Sequence, residues 1–394
     1  MAHTSCDVAV LGLGIMGSAA LAALARRGMR VIGVDRFPPG HDRGSSHGAT
    51  RVIRLGYFEH PSYVPLVAAA YPLWRELEAR SGEPLLTVTG ILEIGSEGSE
   101  LVAGTLQSAR QHGLAHEVLE AAAVMRRFPP FRLPEDFVGV FQPQGGVLRA
   151  EAAVTACQMA ARTAGAVIRM PERVRAVAPD GDGVVVRTER GEIRAGCAVV
   201  AAGPWLPQLL PDLVPGLTVP LRVTRQVLAW FSPRRAGARL AAPDFPVFLL
   251  QDAGGVFYGL PADALGMKVA KHHHRDETVT PDSCDRTVSQ DDEAMIRAML
   301  EARLPDAAGT LRAAQTCLYT MAPDGDFILD RLPSCPRIIV ASPCSGHGFK
   351  FAPVIGEILA DLATAGATAH DISRFSLRRF VRPQGKPVHR GVPP

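Results

Sequence analysis

A chain of 394 residues is long for a single core, and two domains are the natural expectation. Its apolar fraction of 47% is that of an ordinary globular protein and excludes a disordered or fibrous chain. A net charge of +3 with scattered basic residues argues against nucleic acid as a partner. Membrane spans are excluded too, because the apolar stretch from Trp205 to Leu221 is interrupted by Pro207, Pro211, Pro215 and Pro220.

The first readable unit is strand, turn, helix, strand. Asp7 to Leu11 is a short apolar run suited to a parallel strand buried on both faces. Gly12, Gly14 and Gly17 follow as G-x-G-x-x-G: one glycine for the sharp turn, one for close approach to a pyrophosphate, one for tight packing of helix on sheet. Leu21, Leu24 and Ala25 keep helical spacing. Arg26 and Arg27 suit the C-terminal dipole, and Gly28 suits the helix stop. Arg30 to Val34 is the second strand, and Asp35 stands where a carboxylate takes adenosine ribose hydroxyls. An acid there points to FAD or NAD rather than NADP, and the unit alone does not choose between those two.

The N-terminus has no basic region ahead of its apolar stretch, so a secretory signal is not expected, and the C-terminal GVPP is no peroxisomal tripeptide. Seven widely spaced cysteines without a C-x-x-C pair predict a reducing cytoplasm, no disulfide framework and no metal site. Further along, Thr50 to Leu55 presents Arg51 and Arg54. Tyr63 to Ala79 reads as a helix with Pro72 inside it, and Leu86 to Ile94 as one strand. Helices are predicted over Leu101–His112, Ala121–Arg127 and Arg149–Gly165, with a strand over Gly139–Gln142. Short strands at Val174–Val177, Gly183–Thr188 and Glu192–Arg194 precede a buried strand, Cys197–Ala202, that ends in Gly203-Pro204-Trp205. Strands at Leu221–Phe231, Val247–Gln251, Val256–Gly259, Lys268–Lys271 and Leu311–Thr320 bracket a helix at Asp291–Arg303. A last strand at Arg337–Ala341 leads through a glycine-rich turn to a helix at Phe351–Leu362, and a Pro/Gly-rich tail is expected to be disordered.

Two compositions alternate along the chain. The predicted class is α/β with an α+β part: a discontinuous Rossmann-like dinucleotide domain (1–86, 150–220 and 324–384) interleaved with an antiparallel-sheet substrate domain (87–149 and 221–323), then a flexible tail (385–394).

Six blocks together carry a resemblance: Gly12–Gly17, GSSHGATRVIR (Gly44–Arg54), YGLPAD (Tyr258–Asp263), KVAKH (Lys268–His272), TCLYTMAPDGDFILD (Thr316–Asp330) and SGHGFKF (Ser345–Phe351). From about Asp7 to Phe380 the sequence resembles the monomeric sarcosine oxidase family, which includes N-methyltryptophan oxidase and pipecolate oxidase. That resemblance implies FAD, attached through its 8α carbon to Cys317. It implies a cofactor wall of Gly12, Gly14, Ile15, Met16, Gly17, Asp35, Arg36, Ser45, Thr50, Arg51, Val174, Gly203, Trp205, Cys317, Gly346, Gly348, Phe349 and Lys350. Arg54 and Lys350 match a clamp for the substrate carboxylate, a planar fork beside a compact charge. Lys268 matches the lysine that aids dioxygen. His272, Tyr258, Tyr319 and Arg51 match further active-site positions, with Glu59 in register. His273 and His274 read as loop residues, since an uninterrupted HHH lacks metal-ligand spacing.

The implied activity is oxidation by O2 of an N-methyl or cyclic α-amino acid, giving an imine and hydrogen peroxide, by a cytoplasmic monomer. Three alternatives stay open at this point: an oxidase of cyclic imino acids or bulky amines, an NAD-dependent dehydrogenase, and a flavin-binding protein without turnover. Of the motifs, the Tyr258–Lys268 spacing is one residue shorter than in sarcosine oxidase proper, so the loop Ala262–Met267 is expected to be shaped differently.

Overall fold

The structure, a computed structural model, describes residues 4–213, 219 and 221–380; Pro215, Pro220 and the tail lie outside them. Its centre is the strand Thr4–Leu11, whose last four residues are all buried. This strand pairs in parallel with Val31–Val34 on one side and with Gly191–Val200 on the other. Val31–Val34 in turn pairs with Val167–Arg169. The far edge of Gly191–Val200 changes neighbour part-way: Ala195 and the residues before it face Gly183–Thr188 antiparallel, while Ala198 to Val200 face Cys335–Ser342 in parallel. Val174–Asp180 and Ile328–Leu332 complete the sheet.

The helix Ile15–Arg26 lies against this sheet and packs on the helices Ala352–Thr364 and Ala150–Thr163. It is lined with alanine, and a Cβ on Gly356 would meet the Ala19 carbonyl carbon at 2.7 Å, so the backbones touch only because both sides are small. Gly28, at φ +78°, ends the helix as expected. Each fully buried Leu or Ile of this layer, such as Leu24, Ile355 and Leu359, contributes about 1.5–3 kcal/mol by leaving water.

A second sheet runs in the order Leu311–Met321, Arg222–Phe231, Gly266–Lys271, Gly255–Asp263, Val247–Asp252, Ile91–Ser96, Phe137–Gln142, Glu117–Glu120. All its pairs are antiparallel except Val247–Asp252 with Ile91–Ser96. A small sheet of Thr50–Ile53, Gly146–Arg149 and Leu86–Val88 stands apart from both.

Two expectations are corrected here. Leu86 to Ile94 is not one strand: Gly90 takes φ +74°, where the Phe141 ring would stand 2.7 Å from a Cβ, and the chain leaves the small sheet for the large one. Conversely, Glu192–Arg194 and the apolar run from Cys197 belong to a single strand, which ends at Val200, short of Ala202. The switch from mixed to apolar composition marks the change of neighbour, not a break. Pro72 lies inside the helix Val64–Ser81 without ending it.

Candidate active site

One cavity of about 500 Å³ runs from the Gly12 turn and Asp35 to Cys317, Tyr319 and Lys350. That volume suits a dinucleotide-sized or drug-sized ligand. At its nucleotide end, the glycines behave as the sequence predicts. A Cβ on Gly12 would come 2.4 Å from Ala201 O, and Gly12 itself has φ +90°. A Cβ on Gly17 would meet Gly12 O, so Gly17 seats the helix and does not reach the cavity wall, whereas Gly12, Gly14, Ile15 and Met16 do. Asp35 accepts from Leu13 N at 2.6 Å and Phe37 N at 2.9 Å, which fixes its carboxylate on the wall with lone pairs left for ribose hydroxyls. Arg36 pairs with Asp282 at 2.7 Å, and Trp205 Nε1 donates to the same carboxylate. Val174 and Gly203 line the same cavity, and so does Ser45, whose Oγ donates to Leu318 O at 2.6 Å beside Cys317.

The turn Ser345–Gly348 brings backbone close at the other end. A Cβ on Gly348 would sit 1.7 Å from Pro343 O, and one on Gly346 would hit the rings of His272 and Tyr319 at 2.8 Å. Replacing Gly348 with Ala forces that turn open. The expected outcome is a lower melting temperature together with less flavin absorbance per chain, read on purified protein.

Cys317 is buried on the strand Leu311–Met321, and Arg51 Nη2 stands 3.7 Å from its Sγ. Arg51 is itself fixed by Ser45 O, His47 O and Thr50 O, and lies over the Phe349 ring at 5.7 Å. Cys344, also on the wall, accepts from Thr320 N. Lys268 and Thr50 do not line the cavity. The Lys268 ammonium is buried directly behind, donating to Gly48 O at 2.6 Å and Thr50 O at 2.7 Å. Burial and Arg51 push its pKa well below the usual lysine value.

Arg54 and Lys350 do come together on the wall with Glu59, His272, Tyr258 and Tyr319. Both cations are buried. Arg54 Nη2 donates to both Glu59 oxygens, at 2.7 and 2.6 Å, and Nη1 to Gly56 O at 2.7 Å. Tyr57 and Phe58 rings flank the guanidinium at 4.2 and 4.7 Å. Lys350 Nζ donates to His347 O at 2.7 Å and Tyr57 OH at 3.2 Å, and its carbonyl is anchored by Trp74 Nε1. Burial, then Arg54, lower Lys350 to about 7. Burial alone would raise Glu59, but Arg54 wins and holds it down to about 2. Burial pushes His272 well below its ordinary value, Tyr319 well above its own, and Tyr258 up to about 12. His272, Tyr258 and Tyr319 are therefore neutral at pH 7, while Glu59 is ionised on Arg54.

Several wall residues escaped sequence reading. Val52, Phe58, Leu249 and Val256 give the substrate end its apolar faces; Val52 stands inside the Gly44–Arg54 block, and the other three lie outside every motif. His347 stood inside SGHGFKF, but its role is visible only in space: Nδ1 meets Tyr57 OH at 2.9 Å, and burial lowers it to about 4. His274 lies in a loop as expected, yet it is buried, with Nε2 2.9 Å from Asp292 Oδ1. Asp292 also pairs with Arg225 and closes the Ser289 capping box, so His274 fastens the loop carrying His272 to the helix Gln290–Arg303.

The chain matches the FAD dependent oxidoreductase family over residues 7–362. It belongs to that family. Within it, monomeric sarcosine oxidase of Streptomyces avermitilis is 42% identical over 379 residues, 95% of this chain and 97% of that protein. N-methyl-L-tryptophan oxidase of Salmonella agona is 36% identical over 377 residues, 95% and 99% of the two chains. The solved structure of NikD, an amino acid oxidase essential for nikkomycin biosynthesis, superposes with a TM-score of 0.82 at 29% identity, covering 95% of this chain and 97% of that one. The kinship read from the six blocks is thus borne out, as is the mixed α/β class. FAD is the cofactor of this oxidoreductase family, and the glycine cradle, the Asp35 carboxylate and the cavity running to Cys317 fit it. Among the described residues no helix is long and apolar enough to cross a membrane, and the seven cysteines are free.

Proposed function

We propose that this chain oxidises a secondary α-amino acid, N-methyl or cyclic, with O2, releasing an imine and hydrogen peroxide. For an N-methyl substrate, the imine takes up water to give formaldehyde and the primary amino acid. The observation that carries the reading is that two buried cations, Arg54 and Lys350, stand on the cavity wall beyond Cys317, beside the apolar faces of Val52, Phe58, Leu249 and Val256. A fork and a point charge suit a carboxylate. In this reading the numbered segments divide as the sequence analysis has them, and the enzyme is a cytoplasmic monomer.

Bound FAD supplies the two-electron acceptor. The chain's own contribution is placement and charge. The substrate carboxylate takes the Glu59 position on Arg54 and is met by Lys350. Two cations near the nitrogen favour the neutral amine, since positive charge lowers an amine pKa. His272, Tyr258 and Tyr319 are held neutral, so they position the amine by hydrogen bonds and need not remove a proton from carbon. Val52, Phe58, Leu249 and Val256 keep water away from the reacting end.

A peroxide-coupled screen of N-methyl and cyclic amino acids tests this. Peroxide from at least one of them is expected; a yellow protein inert to all of them would count against turnover. A colourless protein would return the NAD-dependent reading.

The covalent link belongs to the same proposal. Cys317 would supply the nucleophilic sulfur that replaces a hydrogen on the flavin 8α carbon, the proton leaving to solvent and the two electrons passing to O2, and Arg51 at 3.7 Å is the cation that pairs with sulfur as it reacts. Cys317→Ser is expected to leave yellow protein whose denatured chain carries only its amino-acid mass. Wild-type chain carries the added mass of FAD. A flavin still attached in the serine variant would move the link to another residue, with Cys344, the other cysteine on the wall, the first to test.

A further inference from the structure

Behind Arg54 stands a carboxylate that neither the sequence motifs nor the mechanism above uses. Glu93 lies on the strand Ile91–Ser96, is fully buried, and is not on the cavity wall. Its Oε1 is 3.7 Å from Arg54 Nη1, an ion pair rather than a hydrogen bond. Among the described residues, neither Glu93 oxygen has a hydrogen-bond partner. A buried carboxylate with only the Thr105 hydroxyl near it as a neutral donor is costly and calls for an explanation.

Resting on the reading that Arg54 receives the substrate carboxylate, we propose that Glu93 is the positioning and charge-balancing residue of this anion site. It holds the Nη1 side of the Arg54 guanidinium, and it takes up a proton from solvent when a substrate carboxylate displaces Glu59.

The surroundings leave few other partners. Across the sheet, Glu93 is in register with Leu249 on one neighbouring strand and Val140 on the other, both uncharged. The charged groups facing it are Arg54, Glu59 and Lys350, with Thr105 of the helix Glu100–Gln111 as the nearby hydroxyl. Burial pushes Glu93 up to about 7 against the pull of Arg54. In the free enzyme Glu59 balances Arg54, and Glu93 is divided between its two forms near neutrality. An arriving carboxylate adds one negative charge to the pocket, because displaced Glu59 stays ionised on the wall. That charge raises the proton affinity of every neighbour, and Glu93 is the acid poised to respond. Lys350, near 7, responds in the same direction, so the two must be separated by experiment.

Ionised Glu93 competes with the ligand for Arg54, and protonated Glu93 does not. The carboxylate affinity of wild type therefore weakens above pH 7, by at most tenfold per pH unit for each proton taken up. Acetate is the probe, titrated into holoenzyme and followed by the change in flavin absorbance. Calorimetry in two buffers of different ionisation enthalpy counts the protons. Glu93→Gln keeps the volume and removes the charge. The expected result is acetate affinity equal to wild type at pH 6, several-fold tighter at pH 8, and lower proton uptake at pH 8. A residue that only supported the fold would shift affinity equally at both pH values, and that result overturns the proposal. If Glu93→Gln does not fold, Lys350→Met decides: proton uptake at pH 8 must persist in it, and its complete loss overturns the proposal. Should Arg54→Met leave acetate affinity unchanged, the clamp reading itself has failed, a result distinct from either of these.

Discussion

Lys268→Met is expected to slow re-oxidation of the reduced enzyme by O2 by roughly 10²–10³-fold, the range for removing one preorganised electrostatic group. Anaerobic bleaching by substrate should change far less. The basis is where the ammonium is held. It is buried, pinned by Gly48 O and Thr50 O, and stands 5.3 Å from the Trp230 ring centroid. Burial and Arg51 lower its proton affinity, and in its charged form it acts on nearby electron transfer without having to reorganise. Since Lys268 does not line the cavity, a competing role is pinning the 48–50 backbone that carries Arg51. The two roles separate cleanly. Methionine removes both ammonium hydrogen bonds, but Gly48 O keeps its bond from Thr50 N and Thr50 O its bond from Arg51 Nη1, so only a modest loss of melting temperature is expected under either role. Only the electrostatic role spares the reductive half. Stopped-flow rates for both halves decide it, and equal losses would leave Lys268 as a structural pin.

Much of the nucleotide end could be read in advance because its signals are local. The glycines of Gly12–Gly17, the alanine-rich helix and Asp35 lie within one short stretch; Gly17 seats against Gly12 and Asp35 accepts from Leu13, although Gly12 itself packs against Ala201 far along the chain. The Ser345–Phe351 turn was legible for the same reason. The substrate end was legible only where a motif happened to contain its residues. Glu93 sits in an apolar strand, LEI, where a lone acid suggests a solvent-facing position. It is buried because the helix Glu100–Gln111 covers that face, and strand pattern alone does not report the cover. Lys268 was found by its motif, yet its place one layer behind the wall depends on the carbonyls of Gly48 and Thr50, some 220 residues earlier in the chain. Sheet membership was also hidden. Leu86–Val88 and Ile91–Ser96 read as one run, because a single glycine at φ +74° divides them.

Arg54→Met should have the largest effect on binding, raising the dissociation constant for a carboxylate ligand by roughly 10²–10³-fold, as loss of charge-assisted hydrogen bonds worth about 1.5–3 kcal/mol each implies. Arg54→Lys should recover only part of this, because an ammonium cannot present the planar fork. The cost to stability is separate and also large. Methionine leaves Glu59 and Glu93 facing each other without their shared counter-ion, and breaking a buried pair from one side costs about 3–5 kcal/mol. Its pH dependence follows from Glu59, whose folded pKa Arg54 holds at about 2. A depressed carboxylate stabilises the fold above its unfolded value and loses that contribution as pH falls through the folded one. In the methionine variant the folded pKa of Glu59 rises, so the stability gap from wild type is small near pH 2 and widens toward neutrality. Urea melts of both proteins across that range test the sign. A gap that stays constant with pH would mean that the lost packing against Tyr57 and Phe58, rather than the ion pair, sets the cost.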